Sequence, residues 1–301
     1  MKNVSAIICS DLHLRETAPV CRLDNWMETM ERKYTWLKEL QEKYGVPILC
    51  GGDVFDYWKS SPFLLSWALR NLPKDMVTVC GQHDLPAHNL DNLARSGLGV
   101  LAEAGKVELL SDSHPIIISD FDVKGFSWGS AFEPCDVKDE YAKVAIIHYG
   151  VYEDKPHYLG AENHGGTAKS VIKKLGGFDL IVAGDNHLSF VTRVEQQVLV
   201  NAGSFMRTSA AQLDFKPSVY LWCSETNEVE RVFVPIESGV ISREHIDKVD
   251  NRDERLEAFI SRLDHNIDIT ISYNDNMRNY LAKNDIKKSV SNIIWEAMKN
   301  E

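Results

Sequence analysis

Pro47-Ile48-Leu49-Cys50-Gly51-Gly52-Asp53-Val54-Phe55-Asp56 runs from an apolar stretch of strand length into a double glycine and two carboxylates. The apolar residues read as a short buried strand, and the glycines let the backbone turn tightly, leaving Asp53 at the strand's carboxyl end. The pattern recurs on both sides. Upstream, residues 4–10 are apolar and β-branched and end in Asp11-Leu12-His13; downstream, residues 76–80 end in Gly81-Gln82-His83-Asp84. Three strands in a row thus run into acidic and imidazole side chains, a repetition that packing alone does not require.

The intervening segments read as helices. Across residues 26–44, large apolar side chains recur at helical spacing through Met30, Tyr34, Leu37 and Leu40, and Gly45 and Pro47 supply stop signals. A second helix begins near Ser61, with Pro62 suited to its first turn. This alternation predicts βαβ units. Residues 107–128 read as short strands with a turn near Ser119 and Asp120. Residues 143–148 and 178–183 read as buried strands ending in histidine-bearing loops, and 197–201, 218–223 and 229–235 as further strands. The expected fold is α/β: a four-layer αββα sandwich of two packed mixed sheets flanked by helices, with a small C-terminal α/β appendage. From about Ile241 the composition turns charged and helix-favouring, with helices expected at 252–263 and 286–298 and a β-like stretch at 267–272. The expected division is therefore a main domain at 1–240 and a small subdomain at 241–301.

The 301 residues are 44% hydrophobic and 26% charged, an ordinary globular composition. The first ten residues lack the apolar length and cleavage pattern of a signal peptide and no segment reaches membrane-spanning length, so a cytoplasmic protein without membrane contact is the default expectation. Six cysteines occur without a C-x-x-C pair, and Cys9, Cys50 and Cys80 sit in apolar runs, which favours reduced core residues over a thiolate metal site. A net charge of -11 argues against a generally basic surface that coats nucleic acid, although carboxylates that bind cations themselves make the formal charge more negative.

Taken singly, each residue of the strand-end loops has an ordinary explanation: aspartate at a turn, histidine as a satisfied polar group, glycine as a loop former. Their conjunction points to a metal centre. Five successive strand ends present oxygen and nitrogen ligands at the sheet edge where α/β proteins place their sites.

The ordered set resembles the calcineurin-like metallophosphoesterases, whose motifs D-x-H, G-D-x-x-D, G-N-H-D/E, a lone H and G-H-x-H are similar to Asp11-Leu12-His13, Gly52-Asp53-Val54-Phe55-Asp56, Gly81-Gln82-His83-Asp84, His148 and Gly184-Asp185-Asn186-His187. The resemblance spans roughly residues 4–210. It implies one metal between Asp11, His13, Asp53 and His187, and a second between Asp53, Gln82, His148 and Asp185. It also implies His83 as general acid to the leaving oxygen, with the Asp56 carboxylate orienting its imidazole. The activity implied is two-metal phosphodiester hydrolysis by a metal-activated hydroxide.

Two positions depart from the family pattern: Gln82 stands where asparagine is usual, and Asp185 where the first histidine of G-H-x-H is usual. Both fall on the second metal, whose shell becomes harder and more anionic. The expected cofactors are two divalent ions, Mn²⁺ foremost, with Mg²⁺, Fe²⁺ or Zn²⁺ as alternatives. A second site that is weak, filled only with substrate, or lost is the competing account.

Within that superfamily the segments 81–86 and 201–209 are similar to SbcD-type DNA repair nucleases and their phage-encoded relatives, with Ala202 in place of a proline. This resemblance implies DNA as substrate and an SbcC-like ATPase as partner; a homodimer is a further expectation for residues 241–301. Arg207 is a candidate phosphate clamp, set against a surface salt bridge, and Tyr149, Tyr57, Trp58 and Tyr152 are candidates to stack on a base, set against core or rim packing. Residues 149–170 read as a flap or a polar surface loop. A phosphodiesterase or pyrophosphohydrolase acting on a small nucleotide, and a non-enzymatic binding module, remain as alternatives. The protein-phosphatase pattern G-D-x-x-D-R-G fails because Tyr57 follows Asp56.

Overall fold

The structure, a computed structural model, describes residues 3–111, 115–137, 140–155 and 165–244, together with isolated positions between 280 and 295. The chain divides into two compact units, Met1–Ser242 and Arg243–Glu301. In the second unit, the expected helix at 252–263 and strand at 267–272 lie outside the described residues. Within 286–298, Lys288, Val290, Ser291, Asn292 and Trp295 are described and helical.

The first unit contains two six-stranded mixed sheets flanked by helices, as the sequence predicts. In the first sheet β1 (Ala6–Cys9), β2 (Ile48–Cys50), β3 (Met76–Thr78) and β4 (Val107–Leu109) run parallel in that order. β13 (Ser218–Cys223) and β14 (Glu228–Phe233) extend it antiparallel beyond β1. The second sheet centres on the parallel strands β6 (Phe121–Phe126), β7 (Ala142–His148), β10 (Leu180–Gly184) and β12 (Gln197–Asn201), edged by antiparallel β5 (Ile116–Ile118) and β11 (Phe190–Val194).

Strand alternation explains the layers. Ile8, Leu49 and Val77 face Val144, Ile146, Val182 and Val200 in a core between the sheets. Their neighbours Ile7, Cys9, Ile48 and Cys50 point the other way, against α1 (Trp26–Tyr44), α2 (Pro62–Asn71) and α3 (Gly97–Glu103). In the second sheet Ala145, Ile147, Ile181 and Ala183 face outward onto α4 (Ala168–Lys174). Both faces of each central strand are therefore apolar, as expected of parallel strands covered on both sides.

Helix ends follow local chemistry. Asn25 caps α1 by accepting from Glu28 N, and Gly45 ends it in the left-handed conformation at φ 66°. Ser61 caps α2 ahead of Pro62. Cys9, Cys50 and Cys80 are buried and unbridged.

Of the segment 149–170, residues 156–164 lie outside the described residues. β8 (Gly150–Tyr152) and β9 (Gly165–Thr167) form a separate parallel pair, and Thr167 caps α4. Among the described residues no helix is long and apolar enough to cross a membrane.

Candidate metal centre

Parallel pairing brings the carboxyl ends of β1, β2 and β3 to one edge, and β7 and β10 likewise end together in the second sheet. The loops after these strands carry Asp11, His13, Asp53, Gln82, His83, Asp185 and His187, while His148 is the last residue of β7. The sheets meet closely here. A Cβ on Gly184 would lie 2.3 Å from the Gly51 carbonyl oxygen, so only glycine permits the ends of β2 and β10 to approach this far.

Asp53 occupies the middle. Its Oδ2 lies 3.4 Å from His148 Nε2 and 3.9 Å from His13 Nε2, and its Oδ1 accepts the backbone N–H of His83 at 3.0 Å. On one side, His13 Nε2 and His187 Nε2 stand 3.0 Å apart, each 3.9 Å from Asp11 Oδ1. On the other, His148 Nε2 is 4.0 Å from Asp185 Oδ1, which accepts from Gln82 Nε2 at 2.6 Å. The two positions that depart from the family pattern therefore touch each other: the extra methylene of Gln82 accompanies a hydrogen bond to the aspartate that replaces histidine.

The donor set fits cations. Asp53 Oδ2, Asp11 Oδ2, His148 Nε2 and Gln82 Oε1 are buried polar atoms without hydrogen-bond partners, an arrangement costly unless an ion completes it. Three overlapping groups have ligand atoms within 4.8 Å of one another: Asp11, His13 and His187; His13, Asp53 and His83; and Asp11, Asp53 and His148. Burial drives the His13 imidazole down to about 3, keeping it neutral and its lone pair free. Burial also acts to lower His148, but the charges of Asp53, Asp11 and Asp185 prevail and lift it to about 10. The carboxylates thus draw positive charge into their midst. His148 Nδ1 lies 2.6 Å from the Gly51 carbonyl oxygen, to which it donates as the protonated ring nitrogen; the ring is thereby fixed with Nε2 inward.

The backbone is bent to serve these side chains. Asp11, His13, Asp53 and Asp185 have φ of 49°, 44°, 50° and 87° in the left-handed region. Each such non-glycine residue costs roughly 1–3 kcal/mol and persists where surrounding structure holds it. Gly81 supplies the clearance, since a Cβ there would fall 1.9 Å from Asp53 Oδ1.

No family model and no curated protein sequence matches the chain. Solved structures do. The chain is similar to a novel archaeal phosphodiesterase at 15% identity and a TM-score of 0.41, over 76% of this chain and 98% of that one. It is also similar to a candidate 5'-nucleotidase from Staphylococcus aureus crystallised with alpha-ketoglutarate, at 13% identity and a TM-score of 0.47, over 84% of this chain and 58% of that one.

Two side chains stand apart from the partners expected of them. The Asp56 carboxylate does not bond the His83 ring; the Asp56 backbone carbonyl lies 2.8 Å from His83 Nδ1. The carboxylate instead pairs with Arg15 at 3.2 Å and faces His13 Nδ1 at 3.7 Å, so its charge acts on a proposed ligand. Arg207 is no open phosphate clamp. Its guanidinium is buried and donates to the carbonyls of Leu213 and Glu237. Tyr149 packs edge-on against Phe132, with ring centroids 5.1 Å apart, while Tyr57 is exposed and leans on Trp58.

Sequence reasoning passed over three further residues. Asp84 is fully buried and accepts from the backbone N–H groups of Val54, Phe55 and Gly81, tying the β2 and β3 loops together. Burial and the charge of Asp53 lift its carboxyl to about 7 against those three donors. Asn201, at the end of β12, donates to the carbonyls of Asn186 and Leu188 and so clamps the loop that carries His187. Trp128 lies edge-on to His148, with ring centroids 6.3 Å apart. The signals for Asp84 and Asn201 lay within the quoted segments 81–86 and 201–209; Trp128 had none.

Proposed function

We propose that the chain is a metal-dependent phosphodiesterase holding two divalent cations that share Asp53. One observation carries this reading: Asp53 Oδ2 is buried, lacks a hydrogen-bond partner and stands between His148 Nε2 and His13 Nε2. Asp11, His13 and His187 would complete one shell, and Gln82, His148 and Asp185 the other. Bound divalent ions supply charge that polarises a phosphoryl oxygen and acidifies water.

The remaining chemistry falls to the protein. His83 is exposed at the rim, and the Asp56 carbonyl fixes its Nδ1, which leaves Nε2 to deliver a proton to the departing oxygen. The Asp56 carboxylate, paired with Arg15, sets its charge 3.7 Å from His13 Nδ1, and Asp84 holds the loops bearing Asp53 and His83 in register. The hard, anionic second shell, in which Asp185 accepts from Gln82, favours Mn²⁺ or Mg²⁺ over Zn²⁺.

For substrate, the reading is a nucleic-acid or nucleotide phosphodiester, with DNA cleavage of the SbcD type ahead of a small nucleotide. The motif resemblance supports DNA, whereas the net charge of -11 and the absence of Arg207 from the substrate path favour the small diester. Residues 241–301 would serve as a truncated cap or a docking segment for an ATPase or a second copy. The discriminating experiment is hydrolysis of single-stranded DNA, duplex DNA, RNA, bis-p-nitrophenyl phosphate, its monoester and cyclic nucleotides with Mn²⁺, Mg²⁺ or chelator. Diester cleavage without nucleic-acid cleavage removes the nuclease reading. No metal-dependent hydrolysis in any arm removes the enzyme reading. Loss of one equivalent of bound metal in Asp185→Ala is the expected mark of the second site, and full occupancy in that variant removes Asp185 from it.

A further inference from the structure

Arg207, displaced from the substrate path, helps line a cavity of about 260 Å³ that shares no residue with the metal cluster. Arg22 enters it from the segment before α1, Arg32 and Lys33 from α1, and Glu237 from the segment after β14. Four cationic side chains thus converge where only one lining residue is acidic.

The charges do not balance. Arg22 is paired with Asp24 at 2.5 Å, and Arg32 with Glu237 at 2.6 Å. Arg207 spends its terminal nitrogens on backbone carbonyls, and its buried Nε has no partner. Lys33 is only 6% exposed and has neither hydrogen bond nor ion pair among the described residues. An isolated ammonium in such surroundings is costly, and proteins seldom bury one without a counter-charge. Burial, with Arg22 and Arg207 nearby, pulls Lys33 down to about 7 against Asp24 and Glu237. Lys33 and Arg207 thus line the cavity without an ion pair of their own, the nearby carboxylates Asp24 and Glu237 being bonded to Arg22 and Arg32.

We propose that this cavity is a binding site for a phosphate-class oxyanion, distinct from the metal centre and independent of the function proposed above. An oxyanion supplies the counter-charge that Lys33 lacks among the described residues. The volume lies below the roughly 300–1,000 Å³ of sites that enclose drug-sized ligands, which fits a free anion or the terminal phosphate of an ester better than a whole nucleotide. Lys33 lines the cavity and serves as the point-charge donor, with Arg22, Arg32 and Arg207 adding positive charge around it. The segment carrying Arg207 also reaches the metal loops, since Ser204 N donates to the His187 carbonyl and Phe205 N to the Asp11 carbonyl.

The test is calorimetric titration of the full chain, stripped of metal with chelator, using inorganic phosphate, sulfate, a nucleoside monophosphate and chloride. Saturable 1:1 binding of phosphate is expected. Lys33→Met should weaken it by about tenfold or more, the loss of one charge-assisted contact, while Asp53→Asn in the metal cluster should leave it unchanged. Should Lys33→Met fail to fold, Arg32→Gln at the half-exposed rim takes its place, with weakening again expected. Phosphate binding with or without binding of the monophosphate supports the site and distinguishes free anion from ester. The proposal is overturned if metal-free wild type shows no saturable binding, if chloride gives the same response, if the cavity variant binds normally, or if Asp53→Asn abolishes binding.

Discussion

His83 and His148 show how neighbouring imidazoles acquire different tasks. His148 is fully enclosed and fixed at Nδ1 by a carbonyl, whereas His83 is likewise fixed at Nδ1 but open to solvent at the rim. The enclosed ring suits a cation, and the open one a departing group that needs a proton. His83→Ala should therefore lower kcat by about 10²–10⁴-fold with an alkoxide leaving group, lose less with an aryl one, and retain its metal. Turnover on paired aryl and alkyl diesters, with elemental analysis of each preparation, checks this; equal losses on both would remove the proton-donor role. Lys33 makes a second prediction at this scale. An unfolded lysine titrates near 10.5, and the folded one at about 7. Between these values the unfolded chain holds a proton that the folded chain lacks, so this residue raises stability as pH climbs through the window. Below about 7 both states are protonated and the buried charge is felt in full. Urea midpoints in phosphate-free buffer should show Lys33→Met more stable than wild type at pH 6, with that advantage shrinking by pH 9.

At the scale of elements, two glycines separate stability from site assembly. Gly45 caps α1 at φ 66° with open space around its Cα, so Gly45→Ala should cost about 1 kcal/mol and leave activity per folded molecule intact. Gly81→Ala drives a methyl into Asp53 Oδ1 and should lose metal even where the chain still folds. Thermal melts and bound-metal measurements on both variants make the comparison. The central strands were legible in the sequence because their residues are apolar on both faces, and the loops because ligand types cluster after them. The pair β8 and β9 was not, since Gly150, Gly165 and Gly166 carry little strand preference. Strand β11 gains its identity from antiparallel pairing with β12 across a turn containing Glu195 at φ 53°, a partnership no local pattern announces. The burial of Arg207 was not legible for a related reason: it depends on Leu213 and Glu237, which come together only in the folded chain.

Across the whole molecule, the proposed ligands are divided between the sheets: Asp11, His13, Asp53 and Gln82 follow strands of the first, and His148, Asp185 and His187 belong to the second. Metal bound there ties the sheets together and favours the folded state alone. At a free Mn²⁺ concentration one hundred times Kd, each independent site should add about 2.7 kcal/mol. The melting temperature should accordingly rise with added metal and fall with chelator, and Asp53→Asn should blunt the response.

The strand that leads into Asp11 and His13 also has an unusual schedule to keep. β1 lies between β2 and β13, with Ile8 paired on one side to Leu49 and on the other to Tyr220. Pairings so remote in sequence form slowly, because the chain must surrender the freedom of a very long loop before any contact repays it. On the ribosome, β1 can zip to β2 early, yet its other edge stays bare until the residues of β13 emerge. The proposed centre should therefore assemble only after residues 218–223 have emerged, long after Asp11 and His13 are made.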